Sequence, residues 1–416
     1  MVRIPNFALR TVLGLRGEYA CRQRGKPKRF GPLSLPLYKG GADASISISA
    51  DFELNWAWRE LHADDRDKRG RSERENVPEI LAILASHRIP VTWATVGHLC
   101  LKSCSPGSEG KAHHDMPRPP QNKRWDGDWY VHDPTGESVA NPLWFAPDLV
   151  ELILEAKEHH ELACHSFSHI DFSPGFASQE LVEQELRKCS EVMSDYCVKP
   201  RSLVFPFNRM GYQYLPALAS SGTIAVRHRD EVFRLSFPER TPFGVYKIYE
   251  TVQLRNAVRY DYVERVKQLI WAAINEGAAF HLWFHPSDPL RVFRNEFNSV
   301  LSFASRMREE GRVWISTMSE LASYCEMREA TRLDVSQNGE LVDVNVTTLL
   351  DSQRFDTPEL TIDITGQGFR DQVIAYGPAG RFEIMARTTG WKNTQLFEMP
   401  FGTQRLILKR TPSFSA

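Results

Sequence analysis

The stretch Glu161-Leu162-Ala163-Cys164-His165-Ser166-Phe167-Ser168-His169 places two imidazoles four residues apart, directly after a short run that reads as a strand. Two histidines so spaced reach one metal ion if the backbone turns between them. A hydrogen-bonded structural pair fits the same spacing. Upstream, Asp51-Phe52-Glu53 follows the alternating run Ser45-Ile46-Ser47-Ile48-Ser49. Carboxylates separated by one residue at a strand end point the same way if the strand period persists, so both could address one centre. Near a cation one can ligate while the other stays free as a base; the plainer reading is a pair of solvent-facing acids capping a strand. His285 ends the run Ala278 to Phe284 and precedes Pro286, a rigid turn that suits either a general acid or base or a structural histidine.

The elements that would position these residues alternate in type. Ser45 to Ser49 reads as a strand with one face buried, residues 60 to 76 as an exposed loop and helix start, and Val77 to Ala85 as a helix. Ile89 to Gly97 reads as the next strand, so the series is a βαβ unit. Helix-like periodicity resumes at Pro147 and leads into the His165 strand. Gln179 to Tyr196 reads as a helix and Arg201 to Phe205 as a strand ending at Pro206-Phe207-Asn208-Arg209. Tyr262 to Asn275 reads as a helix before the His285 strand. Repeated units of this kind predict a parallel sheet or barrel whose functional groups gather at the carboxyl ends of the strands.

Between about 103 and 147 the regular pattern fails. Prolines, glycines and charges are interleaved with Trp125, Trp129, Tyr130, Trp144 and Phe145, which predicts a long surface excursion. Its aromatic faces suit sugar rings, with Trp144 as a candidate contact, or they pin the loop to the barrel.

At 416 residues the chain has room for one large α/β domain and a smaller unit. A net charge of -1 gives no global argument for nucleic acid as a partner. Seven cysteines without framework spacing suit reduced thiols. Phe7-Ala8-Leu9 is interrupted by Arg10, so no secretory signal is read there, and no apolar run is long enough to span a membrane. These features predict a cytoplasmic protein. Residues 1–40 carry nine Lys and Arg against the single acid Glu18, which reads as a solvated basic arm or a contact for an anionic lipid or lipid-linked glycan.

Taken in order, Ser49-Ala50-Asp51-Phe52-Glu53, His165-Ser166-Phe167-Ser168-His169, Phe205-Pro206-Phe207-Asn208 and Leu282-Trp283-Phe284-His285 resemble the strand-end motifs of the polysaccharide deacetylases, the NodB-like group of carbohydrate esterase family four. The resemblance covers roughly residues 41 to 325. It implies an α/β fold, a distorted (β/α) barrel, holding a divalent metal, most often Zn2+. It implies His165, His169 and Glu53 as metal ligands, Asp51 as catalytic base and His285 as the acid that protonates the leaving amine. Pro206, Asn208 and Arg209 of the third motif are then expected at the substrate. Two departures stand out. Phe52 separates the two carboxylates, and Phe207 stands beside the proline where the family often has an arginine that orients the catalytic aspartate; Arg209 is the candidate replacement.

From about Thr331 short alternating runs, such as Leu341 to Val346 and Arg405 to Leu408, predict a C-terminal antiparallel β accessory domain. The expected organisation is a basic arm at 1–40, a deacetylase barrel at 41–328 with the 103–147 insertion, and a β-rich domain at 329–416. The expected activity is metal-dependent removal of an N-acetyl group from an acetamido sugar of a glycan or glycan precursor. An allantoinase-like hydrolase of linear amides, or a catalytically silent glycan-binding protein, would use the same scaffold. The oligomeric state is left open.

Overall fold

In the computed structural model, which describes residues 20–107, 110–121, 125–255, 261–389 and 393–411, the Ser-Ile alternation forms the strand β1 (Ala44–Phe52). Sequence reading expected one buried face. Both faces are buried, because the strand is central in a sheet that curls round on itself. Ile46 and Ile48 join Val266, Ile270 and Leu301 of the surrounding helices in the main apolar core. The serines face the other way. Ser47 and Ser49 hold the two ring nitrogens of His281 at 2.8 and 2.9 Å, and Asp51 follows them on the same parity.

The strands that line the mouth with β1 are β2 (Thr92–Thr95), β3 (Glu161–Cys164), β4 (Ser202–Leu203), β5 (Ala225–His228), β6 (Tyr246–Tyr249), β7 (Val252–Gln253) and β8 (Ala279–Phe284), and Glu239–Arg240 and Val313–Ile315 complete the ten-stranded sheet. Parallel pairing runs from β1 through β2, β3, β4 and β5 to β6, and on the other side from β1 through β8 to β7. Residues 246–253 therefore pair with β5 through their first half and with β8 through their second, and the Thr251 N–H donates to the His281 carbonyl at 2.9 Å. This closes the distorted (β/α) barrel and sets the carboxyl ends of β1, β3 and β8 round one mouth.

The helix that sequence reading began near Val77 spans Ala63–His87 and runs through Pro78. The charged segment before Val77 is helical because its inner face is buried: Gly70, Glu73 and Asn76 all pack inward. Glu73 and Asn76 hydrogen-bond to strand-end loops.

Two antiparallel sheets form a sandwich beyond the barrel. One contains Thr331–Asn338, Leu341–Thr348, Arg405–Arg410, Phe369–Gly377 and Gly380–Met385. The other contains Leu360–Asp363, Thr394–Met399 and Arg387–Thr389, together with Lys28–Phe30 and Leu33–Leu35 from the N-terminal side. Leu33 and Leu35 are buried beside Val344, Ile362 and Phe397. Residues 28–35 of the expected solvated arm are thus two strands of the sandwich, since their alternating leucines have an apolar face to cover. Residues 1–19 of that arm lie outside the described residues. Among the described residues no helix is long and apolar enough to cross a membrane.

Candidate active site

Glu53, His165 and His169 converge at the mouth. Glu53 Oε1 lies 2.9 Å from His165 Nε2 and 3.1 Å from His169 Nε2. All three side chains are buried. His165 Nδ1 lies 2.7 Å from the Val204 carbonyl, so this nitrogen carries the proton and Nε2 presents a lone pair to the centre. Burial pushes the His169 imidazole down to about 4, against the upward pull of Glu53, so it is neutral at pH 7. Burial opposes ionisation of Glu53, yet the interactions with His169 and His165 outweigh it and hold the carboxyl well below its usual range. The second oxygen, Glu53 Oε2, is buried without a hydrogen-bond partner and lies 3.8 Å from His285 Nε2.

This donor set fits a divalent cation. One carboxylate and two imidazole Nε2 atoms converge in a buried position where Glu53 Oε2 and His169 Nδ1 have no hydrogen-bond partner, and three protein ligands leave a position for water or substrate. Asp51, Glu53 and His285 form an overlapping group whose donor atoms lie within 4.8 Å of one another.

Local backbone strain places the donors. Leu54, Ser166, His169, Phe207 and Asn208 all take left-handed φ values between 47° and 59°, and all sit at or beside the mouth. For residues with a Cβ such conformations cost of order 1 kcal/mol or more and persist only where the surroundings enforce them. The enforcers are buried polar contacts. The N–H and O–H of Ser168 donate to Glu185 at 2.8 and 2.6 Å, and the Ile170 N–H donates to Ser166 Oγ at 3.0 Å, closing the turn between the two histidines. The Glu53 N–H donates to Glu73 at 2.8 Å.

Asp51 and His285 stand across a pocket of about 380 Å³ whose walls include Trp58, Phe207, Asn208 and Trp283. Asp51 receives both terminal nitrogens of Arg227, at 2.6 and 2.7 Å. Arg227 also donates to Ser49 at 3.0 Å and to Asn208 at 2.7 Å, and its guanidinium stacks on Trp283.

Arg227 escaped sequence reading. Its signal was a charged residue inside the apolar run Ile224-Ala225-Val226-Arg227, at the carboxyl end of a strand. Arg209, the expected replacement for the family arginine, instead pairs with Asp171 at 2.6 Å. Pro206 is buried in the turn that sets Phe207 against His169, with ring centroids 4.4 Å apart, so it shapes the wall. Asn208 reaches the pocket, where its carbonyl oxygen is committed to Arg227. Trp144, expected to contact the sugar, is buried against Trp56 at 5.4 Å, and its carbonyl accepts from Trp56 Nε1. The aromatic residues that do flank the pocket are Phe207, Trp58 and Trp283, the two tryptophans with ring centroids 5.8 and 5.3 Å from His285.

A metal-competent donor triad at barrel strand ends, with a second carboxylate and a third histidine beside an open pocket, belongs to the class of hydrolases that work at such mouths. Residues 61–223 match the family model described as polysaccharide deacetylase. That span includes His165, His169 and Pro206, while Asp51, Glu53 and His285 lie outside it. None of the curated proteins compared matches the chain. Among solved structures, a polysaccharide deacetylase candidate from Mycobacterium smegmatis is 14% identical, with 75% of this chain and 96% of that one covered, at a TM-score of 0.49. The carbohydrate deacetylase Agd3 is 12% identical, with 88% and 65% covered, at 0.46. The peptidoglycan deacetylase PdaC from Bacillus subtilis is 13% identical, with 69% and 93% covered, at 0.32.

Proposed function

We propose that the protein is a metal-dependent N-deacetylase that releases acetate from an acetamido sugar of a glycan or glycan precursor. The observation that carries this reading is the convergence of Glu53, His165 and His169 beside a pocket that also holds the Arg227-bound Asp51 and His285. Glu53 and the two imidazoles would hold the cation, with zinc the metal best suited to one oxygen and two nitrogen donors. When bound, the cation supplies Lewis acidity to the acetamide carbonyl and lowers the pKa of a water.

The chain's own groups do the rest. Asp51 takes a proton from the attacking water, and the bidentate contact with Arg227 fixes the direction of its carboxylate. His285 gives a proton to the leaving nitrogen as the C–N bond breaks, because an amide nitrogen leaves poorly as an anion. Acetate and a free amino sugar result, with one water consumed. Trp58, only partly buried beside His285, offers an apolar face to a sugar ring. The cysteines present in the structure are all unpaired, which supports a reducing, cytoplasmic setting for this reading.

Acetate release from a panel of N-acetylated sugars and oligosaccharides, run beside elemental analysis of the purified chain, tests the proposal. His165→Ala and His169→Ala should each lose bound metal and nearly all acetate release. Full release without metal, or metal and sugar binding with no release from any acetamido sugar, overturns it. Hydrolysis of small amides, with no acetate release from any acetamido sugar, would favour an allantoinase-like hydrolase.

A further inference from the structure

A second constellation of metal-type donors sits outside that pocket. His98 lies on the turn Gly97–Cys100 after β2, Cys104 on the short strand Ser103–Cys104, and His113 and Asp133 in the excursion that follows. Asp133 Oδ2 is 2.9 Å from His98 Nε2, 3.0 Å from His113 Nε2 and 3.5 Å from Cys104 Sγ. Cys104 Sγ is 3.3 Å from His113 Nε2. In a tetrahedral zinc site with ordinary bond lengths, donor atoms stand ~3.3 Å apart for nitrogen and oxygen and ~3.5 Å apart when one is sulfur. The four donors are already close to that spacing.

Their hydrogen bonding is poorly satisfied by protein groups alone. His98 Nδ1 faces the Trp144 carbonyl at 3.3 Å and so carries the proton, which leaves the Nε2 lone pair of the neutral ring aimed at a carboxylate oxygen. Asp133 is locked in this orientation, since its other oxygen accepts the Thr135 N–H at 3.0 Å. The His98 and Asp133 side chains are fully buried and that of His113 is 8% exposed. The shell is apolar. The His98 ring packs 4.4 Å from Trp56 and 4.7 Å from Phe145, and His113 packs 4.8 Å from Tyr130 and 5.1 Å from Phe167.

We propose that His98, Cys104, His113 and Asp133 form a second, structural zinc site that fastens the 103–147 excursion to the barrel. A thiolate and a carboxylate neutralise the charge of one divalent cation, so the filled site suits an apolar shell. Four protein donors leave no position for water, which marks a structural site. Binding releases the Cys104 thiol proton to solvent. The site backs onto the candidate active centre: the Gly97 and His98 N–H groups donate to the Ser166 and Phe167 carbonyls, both at 2.9 Å, within the turn that carries His165 and His169. From the excursion itself, Trp129 Nε1 donates to Ser168 Oγ at 2.9 Å. Filling this site therefore braces the histidine turn from behind.

The test uses the full chain, stripped with a chelator and titrated with Co2+ alone. The wild type should bind about two equivalents and show a near-ultraviolet thiolate-to-cobalt charge-transfer band with tetrahedral visible absorption. His165→Ala/His169→Ala should keep that band at about one equivalent, which separates this site from the proposed active site whatever the acetate assay gives. Cys104→Ser should abolish the band. A wild type that binds cobalt without the thiolate band overturns the proposal, as does a Cys104→Ser variant that keeps it; one equivalent with the band upholds this site and counts against metal at the proposed active centre. The wild-type spectrum decides the matter even if Cys104→Ser does not fold.

Discussion

Arg227 grips Asp51 through both carboxylate oxygens, at 2.6 and 2.7 Å, from a strand four places away in the sheet order. The guanidinium is buried, stacked 4.3 Å from the centre of Trp283 and shared with Asn208 and Ser49. The candidate base is thus held by an arginine from a different strand than the family pattern suggests.

Replacing Arg227 by lysine keeps the charge and loses the fork. Because bidentate, charge-assisted bonds fix direction as well as energy, kcat/KM for acetate release should fall by roughly 100-fold with metal content unchanged. Steady-state kinetics beside elemental analysis checks this, and wild-type kcat/KM in the variant would remove Arg227 from the mechanism.

Asn208 joins a left-handed φ of 53° to an acceptor for Arg227. Asn208→Gly keeps the backbone conformation and loses the acceptor, whereas Asn208→Ala loses both. Acetate release should fall in both variants by about tenfold, while Asn208→Ala should be less stable than Asn208→Gly by about 1 kcal/mol. Chemical denaturation reads the difference; equal stabilities would show that the turn carries no strain there.

Trp58→Ala and Trp144→Ala should part company. Trp58 lines the pocket and is only partly buried, so its loss should raise KM by roughly tenfold through lost ring contact with the sugar, at little cost in stability. Trp144 is buried against Trp56, so its loss should destabilise the fold by about 3–5 kcal/mol and leave KM of the folded fraction unchanged. Thermal melts and KM values measured on both variants decide; a raised KM in Trp144→Ala alone would reverse the assignment of the sugar-facing wall.

His160 supplies a pH test away from the site. Its Nδ1 accepts the Val91 N–H at 3.0 Å, and burial pushes the imidazole down to about 4. The folded state therefore binds this proton less readily than the unfolded chain does. The stability this contributes is present above the ordinary histidine range and is lost as pH falls from about 6.5 toward 4. His160→Gln can accept the same N–H without titrating, so over that range it should lose less stability than the wild type, by on the order of 2–3 kcal/mol. Parallel profiles for the two proteins would show that His160 is not the group responsible.

Much of the site was legible because strand parity and motif order are local properties. Asp51 lies on the inward parity of its strand and Glu53 one residue past the strand's end, so both reach the mouth, and His165 and His169 meet at one carboxylate since a strand end followed by a closed turn brings them round. His285 sits beyond its strand as the alternation of elements indicated. The helix ahead of Val77 was harder to see, because its buried positions are Gly70, Glu73 and Asn76 and its apolar periodicity is correspondingly weak. Lys28 to Leu35 read as an arm because its partner strand, Leu360–Asp363, lies more than three hundred residues away in sequence.

By itself, then, the sequence determined the barrel's element order, the two histidines and the two carboxylates at one strand end, since each follows from short-range periodicity and from motif succession. Tertiary structure alone decided which arginine orients Asp51, which tryptophans line the pocket, and that His98, Cys104, His113 and Asp133 meet at a second centre. Each of those depends on strand neighbours or loop packing between residues remote in the chain. Side-chain chemistry is written locally, but which side chains become neighbours is settled by closing the barrel and burying its loops.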